Sequence, residues 1–299
     1  MVGVTSRPNY ISKSNLFNLR YYFKSRHRDP KLAKGEVACI MCTWNEEMMV
    51  RLALESSKEF VSRYIVIDKD GSTIQAIKEC RDEWNLDIDI YVKPEMTLRE
   101  SRAFALTLIT EPWVLIQDGD EVFHTDGPND ISNLRHFMDR PNICLATPMN
   151  VLCGDLLHTK PELPQQPPHL FLLHNNGTIR EPPINRDIPI MDGWKISLAK
   201  PYKFNCNIKS PKRMFLRQFW KEWCQDTDAY LRYPNIERYV SEKLGIDIDS
   251  ESKEWYKRYI ATLILYKDEK WGYYPKVIRE QMLISWNAQA HAFERNSYN

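Results

Sequence analysis

Three short apolar runs constrain this chain more than anything else in it: Val37-Ala38-Cys39-Ile40-Met41-Cys42, Tyr64-Ile65-Val66-Ile67 and Trp113-Val114-Leu115-Ile116. None has a helical period, and each passes straight into a polar stretch. Apolar at every position, they read as strands covered on both faces, which requires helices on either side of the sheet. Glu47 to Phe60 supplies one such element, a crossover helix with Met48, Met49, Leu52, Leu54 and Phe60 set among charges. The expected class is α/β, with a mostly parallel sheet flanked by helices. Ligands of open parallel sheets sit beyond the carboxyl ends of the strands, so Thr43–Glu47, Asp68–Thr73 and Asp118–Glu121 should converge on one crevice.

The third stretch, Asp118-Gly119-Asp120-Glu121, carries the chemistry. Carboxylates at i and i+2, where a buried strand runs out into a loop, can both turn toward one hard cation. Mg²⁺ and Mn²⁺ take oxygen ligands and share them with substrate phosphates. Such an ion would neutralise charge on a departing diphosphate. The plainer reading is a solvated acidic turn in which Gly119 supplies a positive φ. The two polar loops expected beside it favour a site.

Taken together, these segments resemble family 2-type glycosyltransferases of the GT-A fold. There a first strand ends in a Thr-x-Asn-Glu-Glu-like loop, a second in Asp-Asp-Gly-Ser and a later one in Asp-x-Asp. This chain has Thr43-Trp44-Asn45-Glu46-Glu47, Asp68-Lys69-Asp70-Gly71-Ser72-Thr73 and Asp118-Gly119-Asp120. Arg99-Glu100-Ser101-Arg102-Ala103 stands where that family starts an Arg-Asn-x helix before the metal strand. Lys69 within the Asp-Asp pair and Ala103 in place of Asn are departures. The resemblance covers residues 36–122, the nucleotide-sugar-binding half. It implies that Thr43, Asn45, Glu46 and Asp68 line a nucleotide pocket, that Asp70 reaches base or ribose and that Arg102 pairs with phosphate. It further implies that Asp118 touches ribose or metal-bound water, while Asp120 holds the Mn²⁺ or Mg²⁺ bridging the diphosphate. The donor implied is a nucleoside-diphosphate sugar of UDP or GDP type, and the reaction an inverting transfer to a hydroxyl of a glycan, lipid-linked or other acceptor.

Residues 123–210 correspond to the acceptor-binding half of that family, which contains the general base. The proline-rich stretch 161–168 reads as neither regular helix nor central strand. His169–Arg180 reads as a β-hairpin turning at Asn176-Gly177. Where relatives carry a His-Glu pair after such a hairpin, this chain has Asn185-Arg186-Asp187. An inverting transfer needs a carboxylate in reach of the acceptor hydroxyl. Asp187, then Glu181 and Asp192, are the candidates. Residues 211–299 read as a helical addition, with runs around Trp255–Tyr266 and Tyr274–Phe293. By the same resemblance, Lys209 and Arg213 near its start would close over the diphosphate.

Composition narrows the alternatives. A net charge of +1 gives no global field for nucleic acid. No apolar stretch approaches the roughly 20 residues that span a bilayer, and no signal-peptide core opens the chain, so a cytoplasmic protein is expected. Seven scattered cysteines fit a reducing compartment. Cys39 and Cys42 would point to opposite faces of their strand and so fill core rather than share a metal. Residues 1–35 form a basic and aromatic arm that either docks on an anionic membrane surface or packs its rings on the domain. Two other functions fit parts of the pattern: a non-catalytic sugar-nucleotide or glycan-binding module, and a nucleotidyltransferase. The latter normally has a glycine-rich phosphate loop near the first strand, and Thr43–Glu47 contains no glycine.

Overall fold

The computed structural model describes residues 36–162, 164–180, 191–225, 232–233 and 235–284. The basic arm, Glu181, Asp187 and the end of the expected 274–293 helix lie outside the described residues. Each of the three apolar runs forms a strand. In chain order the first half reads β1 (Val37–Thr43), helix α1 (Val50–Ser57), β2 (Arg63–Asp68), α2 (Ile74–Trp84), β3 (Ile88–Val92), α3 (Leu98–Leu106) and β4 (Trp113–Asp118). The order β3-β2-β1-β4 is parallel throughout. β3 is an edge strand with the alternation Asp87-Ile88-Asp89-Ile90, its Ile88 and Ile90 on one apolar layer and its Tyr91 on the other.

Two apolar layers cover this sheet. Val37, Cys39, Met41, Tyr64, Val66, Trp113 and Leu115 pack on one face with α1 and α2. Ile40, Ile65, Ile67, Val114 and Ile116 pack on the other, with Cys42 against them. Cys39 and Cys42 therefore do face opposite ways, and both are free thiols, as are Cys80, Cys144, Cys153 and Cys206. Burial raises the Cys39 thiol well above its ordinary pKa, as befits a core filler.

Beyond β4 the sheet becomes mixed. It continues through β5 (Glu121–Phe123), β6 (Ile143–Cys153), β8 (Gln165–His174), β9 (Trp194–Ser197) and β10 (Lys203–Asn207). The full order is β3-β2-β1-β4-β8-β6-β10-β5, with β9 on β6. β8 runs antiparallel to both neighbours. Contrary to expectation, the proline-rich stretch contributes to this strand. Pro167 and Pro168 are tolerated because the ladder with β6 skips between Thr147/His169 and Met149/Gln166, and β4 pairs only as far as Leu172. The prolines thus fall where no ladder bond is demanded of them. The turn after β8 is as read: Gly177 has φ 76°, and the Asn176 side chain accepts from the Thr178 amide at 3.0 Å. The return arm is not a strand among the described residues.

The chain divides into two compact units. One takes in the described residues up to Val151, Gln165–Cys206 and those from Lys267 on, and the other is Leu152–Pro164 with Asn207–Tyr266. In the second unit, α4 (Pro211–Leu216), α5 (Trp220–Gln225) and α6 (Ile248–Ile260) replace the longer helices expected. Met214, Phe215, Trp223, Tyr239 and Ile248 are buried in it. The run around Trp255–Tyr266 ends as helix at Ile260, and Ile264–Leu265 instead forms β11, paired with β7 (His158–Thr159).

The first unit contains one histidine whose titration should be visible in stability. His124 is 1 % exposed, wedged edge-on against Phe204 and Tyr273 at ring distances of 5.6 and 4.9 Å. Burial depresses its pKa from 6.5 to about 4, Asp126 and Asp130 opposing and Arg279 assisting. Because the imidazole is held neutral, its contribution is fully present above pH 6.5 and is lost as the pH falls toward 4. The loss is on the order of 2–3 kcal/mol. Urea midpoints taken at pH 7 and pH 4.5 should therefore converge in His124→Phe; an undiminished difference would assign the acid sensitivity to other groups.

Candidate functional site

Parallel register brings the strand ends together. Thr43 pairs with Asp68, and Cys42 pairs with Asp118. The Thr43 hydroxyl donates to Asp68 Oδ2 at 2.7 Å. Asp68 Oδ1 accepts from the amides of Asp70, at 3.2 Å, and Gly71. Asp68 is fully buried, so its carboxylate shapes the turn and the nucleotide-lining role expected of it has no exposed oxygen to act through. Asp70 is exposed. Its Oδ2 accepts from Trp44 Nε1 at 3.0 Å and Asn45 Nδ2 at 3.5 Å, and its Oδ1 from the Ser72 hydroxyl at 2.6 Å. Asn45 takes φ 57°, a left-handed conformation that asparagine tolerates.

Hydroxyls that might have capped α2 serve the neighbouring loop instead. Ser72 Oγ accepts from the Asn45 amide at 3.1 Å, and Thr73 Oγ1 from the Glu46 amide at 3.2 Å. The β1 and β2 loops are thereby one hydrogen-bonded body, with the Asp70 carboxylate at its surface.

The acidic loop after β4 lies directly against them. The Gly119 amide donates to the Cys42 carbonyl at 3.2 Å. A Cβ at position 119 would stand 2.7 Å from Thr43 Cγ2 and 3.2 Å from Glu46. Gly119 is not among the positive-φ glycines; its absent side chain matters because the two loops touch there. Arg102 Nη2, on α3, donates to Asp118 Oδ1 at 2.6 Å. That bond gives the guanidinium a carboxylate partner at the acidic loop, where a phosphate partner was expected. The Asp118 side chain keeps 32 % of its surface exposed, against 4 % for Arg102.

Asp120 is 6 % exposed, more enclosed than a solvated turn allows. Its Oδ1 accepts from Asn205 Nδ2 at 3.3 Å, and its carbonyl from the Cys206 amide at 2.7 Å. Behind it Glu121 Oε2 meets Lys203 Nζ at 2.6 Å, both side chains nearly inaccessible. Burial raises the Glu121 pKa to about 7, Lys203 opposing and Asp118 adding to the rise. Asn205 and Lys203 escaped sequence reading altogether. They stand more than eighty positions from their partners, and only the pairing of β5 with β10 joins them.

Among the described residues, no group of three or more His, Cys, Asp and Glu side chains is placed to hold a metal. Two oxygen-bearing carboxylates beside polar loops suit an ion that completes its coordination with diphosphate oxygens, and not a protein-only cage.

Asp192 is not brought to these loops. Trp113 pairs with His174, so the end of β8 and the turn after it lie at the amino end of β4, about 17 Å along the strand from Asp118. Asp192 is tied to that turn: its amide donates to Thr178 Oγ1 at 3.0 Å, its carbonyl accepts from Asn176, and its side chain pairs with Arg180. This placement removes Asp192 as a base for chemistry at Asp118–Asp120. Lys209 and Arg213 belong to the second unit, where Lys209 is buried and Arg213 stands in the first turn of α4, capped by Ser210. A cleft of about 420 Å³ lined by Lys58, Ser62, Tyr64 and Trp84 opens at the amino end of β2, away from the acidic loop.

No family model and no curated protein matches the chain. Among solved structures it is similar to residues 1–349 of TarS from S. aureus in complex with UDP-GlcNAc, at 15 % identity, TM-score 0.41, covering 70 % of this chain and 71 % of that one. Against a longer TarS structure the identity is 16 % and the TM-score 0.40, and the chain spans 43 % of that structure's length. The inositol-1-phosphate CTP transferase from T. maritima also matches, at 7 % identity and TM-score 0.39, over 58 % of this chain and 91 % of that one.

Proposed function

We propose that this chain is a metal-dependent, inverting glycosyltransferase that moves a sugar from a nucleoside-diphosphate sugar to a hydroxyl acceptor. The observation that carries the proposal is the seating of Asp118 and Asp120 against the β1 and β2 loops, in the contact that Gly119 permits. In this reading Thr43, Asn45 and Glu46 frame the nucleotide, and Asp70 is the β2-loop carboxylate available to base or ribose. Mn²⁺ or Mg²⁺, held by Asp118 and Asp120, would neutralise charge on the leaving diphosphate. Arg102 fixes Asp118 and adds positive charge to the same place. Asp187, and after it Glu181, is the proposed proton acceptor.

Thermal unfolding in the presence of UDP, GDP, CDP and their sugar conjugates, with and without MnCl₂, tests this directly. A ligand at about 100 times its Kd adds about 2.7 kcal/mol, a rise of several degrees in Tm for a chain of this size. The proposal expects such a rise for one nucleotide class, larger with Mn²⁺, together with release of that nucleoside diphosphate from its sugar conjugate when acceptor is supplied. Binding without release over a broad acceptor panel would leave a sugar-nucleotide-binding module. No stabilisation by any of these compounds would remove the proposal.

A further inference from the structure

Lys69 is the residue by which the β2 loop departs from the pattern it resembles, and it is engaged at both ends. Its amide donates to the Thr43 carbonyl at 2.9 Å. Its ammonium donates to the carbonyls of Pro94 and, at 2.6 Å, Met96. These carbonyls belong to the segment joining β3 to α3. A carboxylate at position 69 would repel them, since it offers only acceptors.

From that segment a rigid path runs to the acidic loop. Thr97 caps α3: its side chain accepts from the Glu100 amide at 3.3 Å, and the Glu100 carboxylate accepts from the Thr97 amide at 2.7 Å. This capping box fixes where the helix begins. Lys69 is also near enough to Glu100 to help lower its carboxyl pKa, after the larger effect of the Thr97 amide. Little more than one turn further on, buried Arg102 bonds Asp118. We infer that Lys69 is a positioning residue: by clamping Pro94 and Met96 it sets the start of α3, hence Arg102, hence the Asp118 carboxylate that is to meet metal and nucleotide. It acts through other groups and touches no substrate.

The inference rests on the function proposed above, and two readouts separate the two. Hydrogen exchange of the amides in 94–106, in the full chain without ligand, reports the clamp alone. Calorimetric titration with UDP, GDP and CDP, with and without MnCl₂, reports the site. Charge-assisted bonds to two carbonyls are lost in Lys69→Met, so exchange over 94–106 should quicken about tenfold, and Mn²⁺-dependent nucleotide affinity should fall about tenfold. The metal-independent part of the affinity should change less. Lys69→Arg, which keeps charge and donors, should restore most of both, and Lys69→Gln, with donors but no charge, should lie between. Unchanged exchange in Lys69→Met and Lys69→Gln overturns the clamp whatever the function. Quickened exchange with unaltered nucleotide affinity overturns the coupling to the site and leaves the proposed function standing. If the wild-type chain binds no nucleotide under any condition, the functional reading fails and the positioning role fails with it.

Discussion

Asp120→Asn is expected to weaken Mn²⁺-dependent nucleotide binding by about 100-fold, equivalent to about 2.7 kcal/mol, with little loss of stability. Asparagine is the informative replacement because Asp120 is enclosed. Its Oδ1 accepts from Asn205, and an amide oxygen can accept the same bond, whereas alanine would remove that partner from the half-buried Asn205. The negative charge is lost, and charge is what the proposed divalent ion would require of this position. Titration with each nucleoside diphosphate across a range of MnCl₂ concentrations measures it. An affinity that keeps its full dependence on Mn²⁺ would show that Asp120 holds no metal.

Lys203→Met should be the more damaging change to the fold, by about 3–5 kcal/mol in denaturant unfolding. Lys203 and Glu121 form a pair inaccessible to water, on strands β10 and β5. Removing the lysine, whose ammonium lies over the Phe123 and Phe171 rings, leaves the buried Glu121 carboxyl without the cation that offsets its desolvation. Removing both charges should cost far less: Lys203→Met with Glu121→Gln is expected to recover most of the stability, because an unpaired buried charge costs more than an uncharged neighbour. Equal stability of the single and double variants would mean that the ion pair does not govern this part of the sheet. Asp118 also depends on the pair, since the Glu121 carboxylate accepts from its backbone amide at 3.2 Å. The single variant should therefore lose nucleotide affinity as well.

Much of the first half was legible because its signals are local. Continuous apolar runs identify strands buried on both faces whatever surrounds them, and parallel strands joined through helices leave their carboxyl ends on one side. The meeting of Thr43, Asp70 and Asp118 followed from those two facts. Gly119 shows where local reasoning stops. Its sequence context suggested a positive φ, yet the constraint on it is the nearness of Thr43 and Glu46, residues more than seventy positions away in the chain.

Past β4 the reading failed wherever position in the sheet outweighed residue preference. Pro167 and Pro168 enter a strand because the ladder skips opposite them. Asp192, plausible by its distance in sequence, lies at the wrong end of β4 because β8 runs antiparallel to it.

The sequence alone determined the α/β class, the three strand ends and the acidic loop at the end of the third, because periodicity and carboxylate spacing are properties of a short stretch of chain. Only the tertiary structure decided what each polar group is committed to. Asp68 closes a turn, Arg102 holds Asp118, Lys69 grips the segment before α3, and Asn205 and Lys203 stand behind Asp120 and Glu121. A buried polar group takes the partner that the fold brings within about 3 Å, and that partner can come from any point in the chain.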